Sequence, residues 1–145
     1  MDFEFTDDQQ QLRDAVRRWV DKGYTFEKRR GIVKAGGFDR GVYRELAELG
    51  LTGLYVDNDH GGMGMGPVEG MVAMEELGRG IVMEPLAHAL IAGATLNAYA
   101  PADTKSAWLE KIASGEALVV LAHVERKARW RLDVSDTQAA QSGSA

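Results

Sequence analysis

Residues His60–Pro67, HGGMGMGP, place four glycines between positions 61 and 66 and close on a proline. Such a stretch continues neither a helix nor a strand, because glycine carries the largest backbone entropy cost and proline has no N–H to donate. The chain therefore turns here, between the apolar run LTGLYV (51–56) and the helix-like run VEGMVAMEEL (68–77). An apolar run, a glycine loop and a helix also make the phosphate corner of dinucleotide folds, so the loop is either a cradle or a turn. That fingerprint needs G-x-G-x-x-G, with its third glycine at the helix start. Here Gly62, Gly64 and Gly66 alternate and Pro67 follows. A P-loop needs Gly-Lys-Ser/Thr, and no lysine lies between Lys34 and Lys105. Asn58 and Asp59 favour a turn. The spacing predicts a tight loop between packed helical segments, with left-handed backbone at several glycines.

Helix signals dominate the rest. Thr6 with Gln9 reads as a capping box, and Asp7 and Asp8 suit the positive end of a helix dipole. Leu12, Val16, Trp19, Val20 and Gly23 follow at helical spacing. Asp39 is placed to cap a second helix with Val42, Tyr43, Leu46 and Leu49 as its stripe and Gly50 at its end. LTGLYV is open between a short helix and a strand. Pro67 suits the first turn of a third helix, which Gly78 and Gly80 end. Pro85 begins another through LAHALIAGATLNAY (86–99), and Pro101 and Asp103 open a last one carrying Trp108, Leu109 and Ile112. Met63, Met65, Met71, Met74 and Met83 are expected to fill core and interface gaps.

The period changes at residues 114–116. ALVVLAHV (117–124) is short, apolar and β-branched, which predicts a buried strand. RWRLDV (129–134) alternates Trp130, Leu132 and Val134 with polar residues. A two-stranded hairpin alone is marginal, and an apolar edge strand is avoided. The expectation is a helical unit joined to the first piece of a β unit whose remainder, or a partner chain, lies elsewhere.

Composition narrows the function. The 145 residues, 45% hydrophobic, are enough for one domain with a core. Seventeen basic against 22 acidic residues give a net charge of −5, which argues against nucleic acid as a partner. The basic clusters EKRR (27–30) and RKARWR (126–131) read as solvated surface. The absence of cysteine excludes disulfides, thiol nucleophiles and cysteine-based zinc sites. The acidic start MDFEFTDDQQQ is not a signal peptide, and no apolar stretch is long enough for a membrane span. A soluble, cytoplasmic protein is expected. His60, His88 and His123 lack metal-ligand spacing, so no metal site is expected. Glu75 and Glu76 point about 100° apart on a helix, which argues against joint acid–base work. His60 reads as a loop residue.

Several short motifs in order carry a resemblance. FDRGVYRELAELGLTGLYVDNDHGGMGMGPVEGMVAMEELGRG (38–80) resembles the amino-terminal helical domain of the acyl-CoA dehydrogenase family: a helix ending in ELGxxG, a turn into a GGxGxG loop, and a helix ending in EELGR. WLEKIASGEALVVLAHVE (108–125) is similar to the family's last helix of that domain and the first strand of its middle β domain. FEFTDDQQQLRDAVRRWV (3–20) is similar to its first helix. AHVERKARWRLDV (122–134) looks closest to the branch acting on pimeloyl-CoA and related thioesters.

The resemblance implies a mainly α fold: a helical domain over 1–116 and the start of a truncated β domain over 117–145. It implies a three-part, oligomeric flavoenzyme that binds FAD. A carboxylate base takes the α-proton of an acyl-CoA thioester while the flavin takes the β-hydride, and an electron-transfer acceptor reoxidises the flavin. The family's base lies on a final bundle, so no catalytic residue is assigned in this chain, and these 145 residues alone are expected to be inactive. His123, Val124 and Glu125 match the strand that meets the flavin, where the family usually has A-x-T-E-P. Val124 lacks the threonine hydroxyl and Arg126 replaces the proline; the alternative is ordinary strand residues. Ala87, His88, Leu90 and Ile91 match the helix lining the acyl pocket. His88 would meet a polar tail end, such as that of a diacid thioester, or is simply a surface histidine. The resemblance makes 137–145 a strand entering a hairpin and 129–134 a connecting loop, which we favour over the strand that alternation suggests. The competing function is a non-catalytic helical module that packs on a full-length partner through exposed apolar faces.

Overall fold

The computed structural model describes residues 4–129, 131, 133, 135–138 and 140. Among the described residues six α-helices make the fold: α1 (Asp7–Gly23), α2 (Phe26–Lys34), α3 (Arg40–Glu48), α4 (Pro67–Arg79), α5 (Leu86–Tyr99) and α6 (Ala102–Ala113). Local chemistry explains their starts. Thr6 accepts from the Gln9 N–H while the Gln9 side chain takes the Thr6 N–H, a complete capping box. Asp39 accepts from the N–H groups of Gly41 and Val42. Pro67 occupies the first turn of α4, where a missing N–H costs nothing.

Leu12, Val16 and Val20 of α1 meet Leu46 of α3, Ala73 and Leu77 of α4, and Leu86 and Leu90 of α5 around Leu51 and Leu54. Burying each such aliphatic side chain contributes roughly 1.5–3 kcal/mol before ordering costs. A second cluster joins Val56 to Leu109, Ile112 and Ala113 of α6, and a third joins Tyr24, Ile32 and Val42. LTGLYV thus lies between two clusters. It starts with a 3₁₀ turn, Leu51–Gly53, and is no strand.

The glycine loop is a corner. The N–H groups of Gly62, Met63, Gly64 and Met65 donate to the carbonyls of Asp57, Gly53, Val56 and Leu54. Those amides are spent on protein, so none is free to cradle a phosphate. Gly61 and Gly64 take left-handed φ values of 75° and 60°. At Gly62 a Cβ would stand 2.1 Å from the Val56 carbonyl oxygen. The methionines divide: Met65 and Met74 pack on the main core, whereas Met71 is exposed.

Three expectations are corrected. Among the described residues there is no strand. Residues 117–124 have no regular structure: Ala117 and Val119 are half-buried against the α6 cluster, whereas Val120, Leu121 and Val124 are exposed, because a strand exists only against a ladder partner and none faces them among the described residues. The basic cluster EKRR is not plain solvated surface but lies in α2, which the sequence reading left out. Lys28 binds Glu45, and Arg29 donates to the Gly80 carbonyl. Helix α2 was hard to see because Ile32 is its one buried residue, so it has almost no stripe. In 129–134, Trp130, Leu132 and Val134 lie outside the described residues, as do 139 and 141–145 of the expected hairpin. Residues 126–129 form a turn, and Arg131 pairs with Asp133 on the surface.

The two kinds of glycine predict opposite outcomes. Gly62→Ala drives a methyl into a backbone carbonyl and is expected to cost about 3 kcal/mol or more. Gly78→Ala, in α4 with nothing within 4 Å of the new methyl, is expected to gain about 0.5–1 kcal/mol. Urea unfolding of both variants checks the contrast.

Candidate functional site

Helices α4 and α5 diverge over an apolar groove of about 260 Å³. Pro67, Gly70, Met71 and Met74 recur at helical spacing along one face of α4, and Ala87, Leu90 and Ile91 do so on α5. Tyr55 closes the space from the segment before the glycine loop. Gly70 makes this possible: a Cβ there would stand 1.7 Å from the Tyr55 hydroxyl oxygen. The groove is an apolar space with a single polar side-chain group, the usual composition of a small-molecule site. Larger concavities of about 480 and 470 Å³ run along α1, but charged residues such as Asp8, Asp14, Arg18 and Lys22 line them.

The structure brings together three of the four pocket residues named from the sequence. Ala87, Leu90 and Ile91 line the groove; His88 is exposed and does not. Tyr55, Gly70, Met71 and Met74 were missed. The i, i+3, i+4, i+7 spacing of Pro67, Gly70, Met71 and Met74 was readable, but which helix they face was not.

His123, Val124 and Glu125 lie in the irregular segment after α6, the first two exposed and Glu125 half-buried. The His123 ring lies 3.2 Å from the Leu121 carbonyl, and the Val124 side chain is open to solvent. Glu125 turns back instead. It accepts from the Thr137 hydroxyl, the Asp136 and Thr137 N–H groups and the Ser135 hydroxyl, which together hold its carboxyl at about 2. His60 Nδ1 lies 2.6 Å from Asp57, and that bond lowers the Asp57 pKa. Among the described residues no cluster of His, Asp and Glu could hold a metal.

Two buried carboxylates show opposite electrostatics. Glu76 on α4 receives Arg17 at 2.6 Å, Arg79 at 2.9 Å and Arg13 at 3.4 Å. The Arg17 hydrogen bond is the largest influence, and these donors hold its carboxyl at about 2 against the opposing effect of burial. Glu84, next to α5, is 5% exposed and neither carboxylate oxygen meets a donor. Burial is the largest influence and raises its pKa; its own backbone N–H and then the nearby Tyr24 hydroxyl, too far for a full hydrogen bond, offset this only in part. Glu76 is spent on arginines and Glu84 is sealed, and neither lines the groove, so neither is placed to take a proton from a ligand there.

The family model for the acyl-CoA dehydrogenase N-terminal domain matches residues 6–116. The chain belongs to the acyl-CoA dehydrogenase family. It is 28% identical over 145 residues to the acyl-CoA dehydrogenase FadE29 of Mycobacterium tuberculosis, covering 99% of this chain and 38% of that one. It is 35% identical over 80 residues to the benzylmalonyl-CoA dehydrogenase of Aromatoleum aromaticum, covering 55% of this chain and 21% of the relative. The acyl-CoA dehydrogenase of Geobacillus kaustophilus shares the fold with a TM-score of 0.77 at 22% identity, over 91% of this chain and 35% of that one. The chain therefore spans well under half the length of these relatives. No described helix is long and apolar enough to cross a membrane.

The carboxylates predict pH effects of opposite sign. Glu76 has a folded pKa of about 2 against an ordinary 4.5. Its stabilisation is present above the ordinary value and is lost as pH falls toward 2. The shift corresponds to roughly 3 kcal/mol, and Glu76→Gln is expected to lose on the order of 2–3 kcal/mol at neutral pH. For Glu84 the folded pKa is raised, so folding opposes its ionisation and stability declines as pH rises through that value. Glu84→Met is expected to gain about 1–2 kcal/mol at neutral pH and to remove that decline. Thermal unfolding from acid to mildly alkaline pH checks both.

Proposed function

We propose that this chain is the amino-terminal helical part of an FAD-dependent acyl-CoA dehydrogenase, with the acyl chain of a thioester lying in the α4–α5 groove. The apolar groove at Ala87, Leu90 and Ile91 carries the reading, and the family membership supports it. The groove walls do two jobs. They strip water from the acyl chain, at about 0.8 kcal/mol per buried CH₂. They also hold its carbon backbone in one orientation, which removes the entropy of finding it.

FAD, when bound, supplies the acceptor for the β-hydride. His123, Val124 and Glu125 are the residues of this chain proposed to face it. The exposed Val120, Leu121 and Val124 side chains suit one apolar wall, whereas Val124 brings no hydroxyl and the Glu125 carboxylate is already occupied. This chain's part is therefore a backbone and apolar surface rather than a polar side-chain contact. The proton-accepting base, the electron-transfer acceptor and the other subunits of an oligomer belong to the same proposal and lie outside these residues.

Filling the groove tests the reading. Ala87→Val adds two carbons to the lining, the space of about two methylenes, a loss of roughly 1.6 kcal/mol. KM for long-chain thioesters is expected to rise on the order of tenfold while that for a short-chain thioester holds. Equal shifts for both would place the acyl chain elsewhere.

A further inference from the structure

The Tyr55 hydroxyl is the single polar side-chain group in the groove, and among the described residues it makes no hydrogen bond. Its position is built rather than incidental. The Tyr55 ring packs on the main core, the Asn97 amide of α5 donates to its backbone carbonyl at 3.3 Å, and Gly70 leaves the space that the hydroxyl occupies. The Tyr55 side chain is only partly buried, so its hydroxyl is within reach of water, and an acyl chain that displaces this water without replacing its bond loses what that bond contributes. The same site discriminates strongly for a ligand that supplies the partner.

The lining sets the sign of that partner. A tyrosine hydroxyl stays protonated at neutral pH, so it can donate to a ligand oxygen. No charged side chain lines the groove, so an acyl chain ending in a carboxylate would bring a charge into an apolar space that offers it one donor and no cation.

We propose that Tyr55 is a specificity-determining residue: its hydroxyl donates to an uncharged oxygen, a carbonyl or hydroxyl, on the acyl chain. The site then favours oxygenated acyl groups over plain alkyl ones, and both over a carboxylate-ended chain. This rests on the α4–α5 groove being the acyl site. At about 30 Å³ per water-sized unit, the 260 Å³ groove takes roughly eight or nine such units, which sets the probe length.

The experiment measures equilibrium binding of octanoyl-CoA, its oxo isomers with the carbonyl beyond Cβ, and the carboxylate-ended thioester of the same length. The full gene product carrying these residues is compared with its Tyr55→Phe variant, which keeps the ring against Gly70. The best oxo isomer is expected to bind the natural protein more tightly than octanoyl-CoA and to lose roughly three- to tenfold in the variant. Octanoyl-CoA is expected to change by less than the oxo isomer, so that the ratio of their affinities falls toward one in the variant. Equal binding of oxo and plain chains, indifference to Tyr55→Phe, or preference for the carboxylate overturns the inference and leaves the groove reading standing. Failure of every thioester to bind the natural protein overturns the groove reading and the inference with it.

Discussion

One buried carboxylate aligns the helices on which the groove is built. Glu76 on α4 is nearly inaccessible, and an isolated charge there would cost several kcal/mol. Arg13 and Arg17, one turn apart on α1, and Arg79, one turn along α4, converge on it, and Arg79 reaches back to Asp21. Hydrophobic contact between Leu12, Val16, Val20, Ala73 and Leu77 presses α1 onto α4 but tolerates sliding. Directional bonds from three guanidinium groups do not. The exposed arginine heads temper the energy, while the buried carboxylate keeps the geometry strict.

With α4 placed from behind, its opposite face is free to meet α5. The glycine corner sets how the preceding segment enters. Its amides bond back to Gly53, Leu54, Val56 and Asp57, so Tyr55 is held between two strapped neighbours. Gly70 then admits the Tyr55 hydroxyl against α4. The loop that resembles a phosphate cradle thus acts at a distance, by delivering one tyrosine to an apolar groove. The glycines of the loop and of α4 serve the same end, since each removes a methyl where two backbones or a ring and a backbone come close.

Much of the helical frame was legible in the chain. Thr6 with Gln9, Asp39, Pro67 and Pro85 punctuate it through interactions within a few residues, and such local chemistry survives translation from sequence to structure. Ala87, Leu90 and Ile91 were named from family likeness and do share one groove; His88, one residue from Ala87, faces solvent because successive helix positions diverge by about 100°. Helix α2 escaped notice because its one buried residue gives no periodicity. The strand expected over 117–124 failed for the complementary reason: its apolar, β-branched composition is a preference for a ladder, and a preference without a partner forms none.

What the sequence determined by itself is therefore the set of local decisions. These are where most helices begin, that residues 60–67 turn, that these residues offer no thiol, and that the family's motifs stand in order. Those follow from capping, backbone freedom and side-chain inventory, each readable within a few residues. Tertiary structure alone decided that Glu76 is a charged pin and Glu84 a sealed, unpartnered acid, although both are glutamates near a helix end. It alone put Tyr55 over Gly70 and opposed α4 to α5. Burial, hydrogen-bond direction and the field around a titratable group depend on contacts between residues fifteen to sixty positions apart, and no local pattern encodes them.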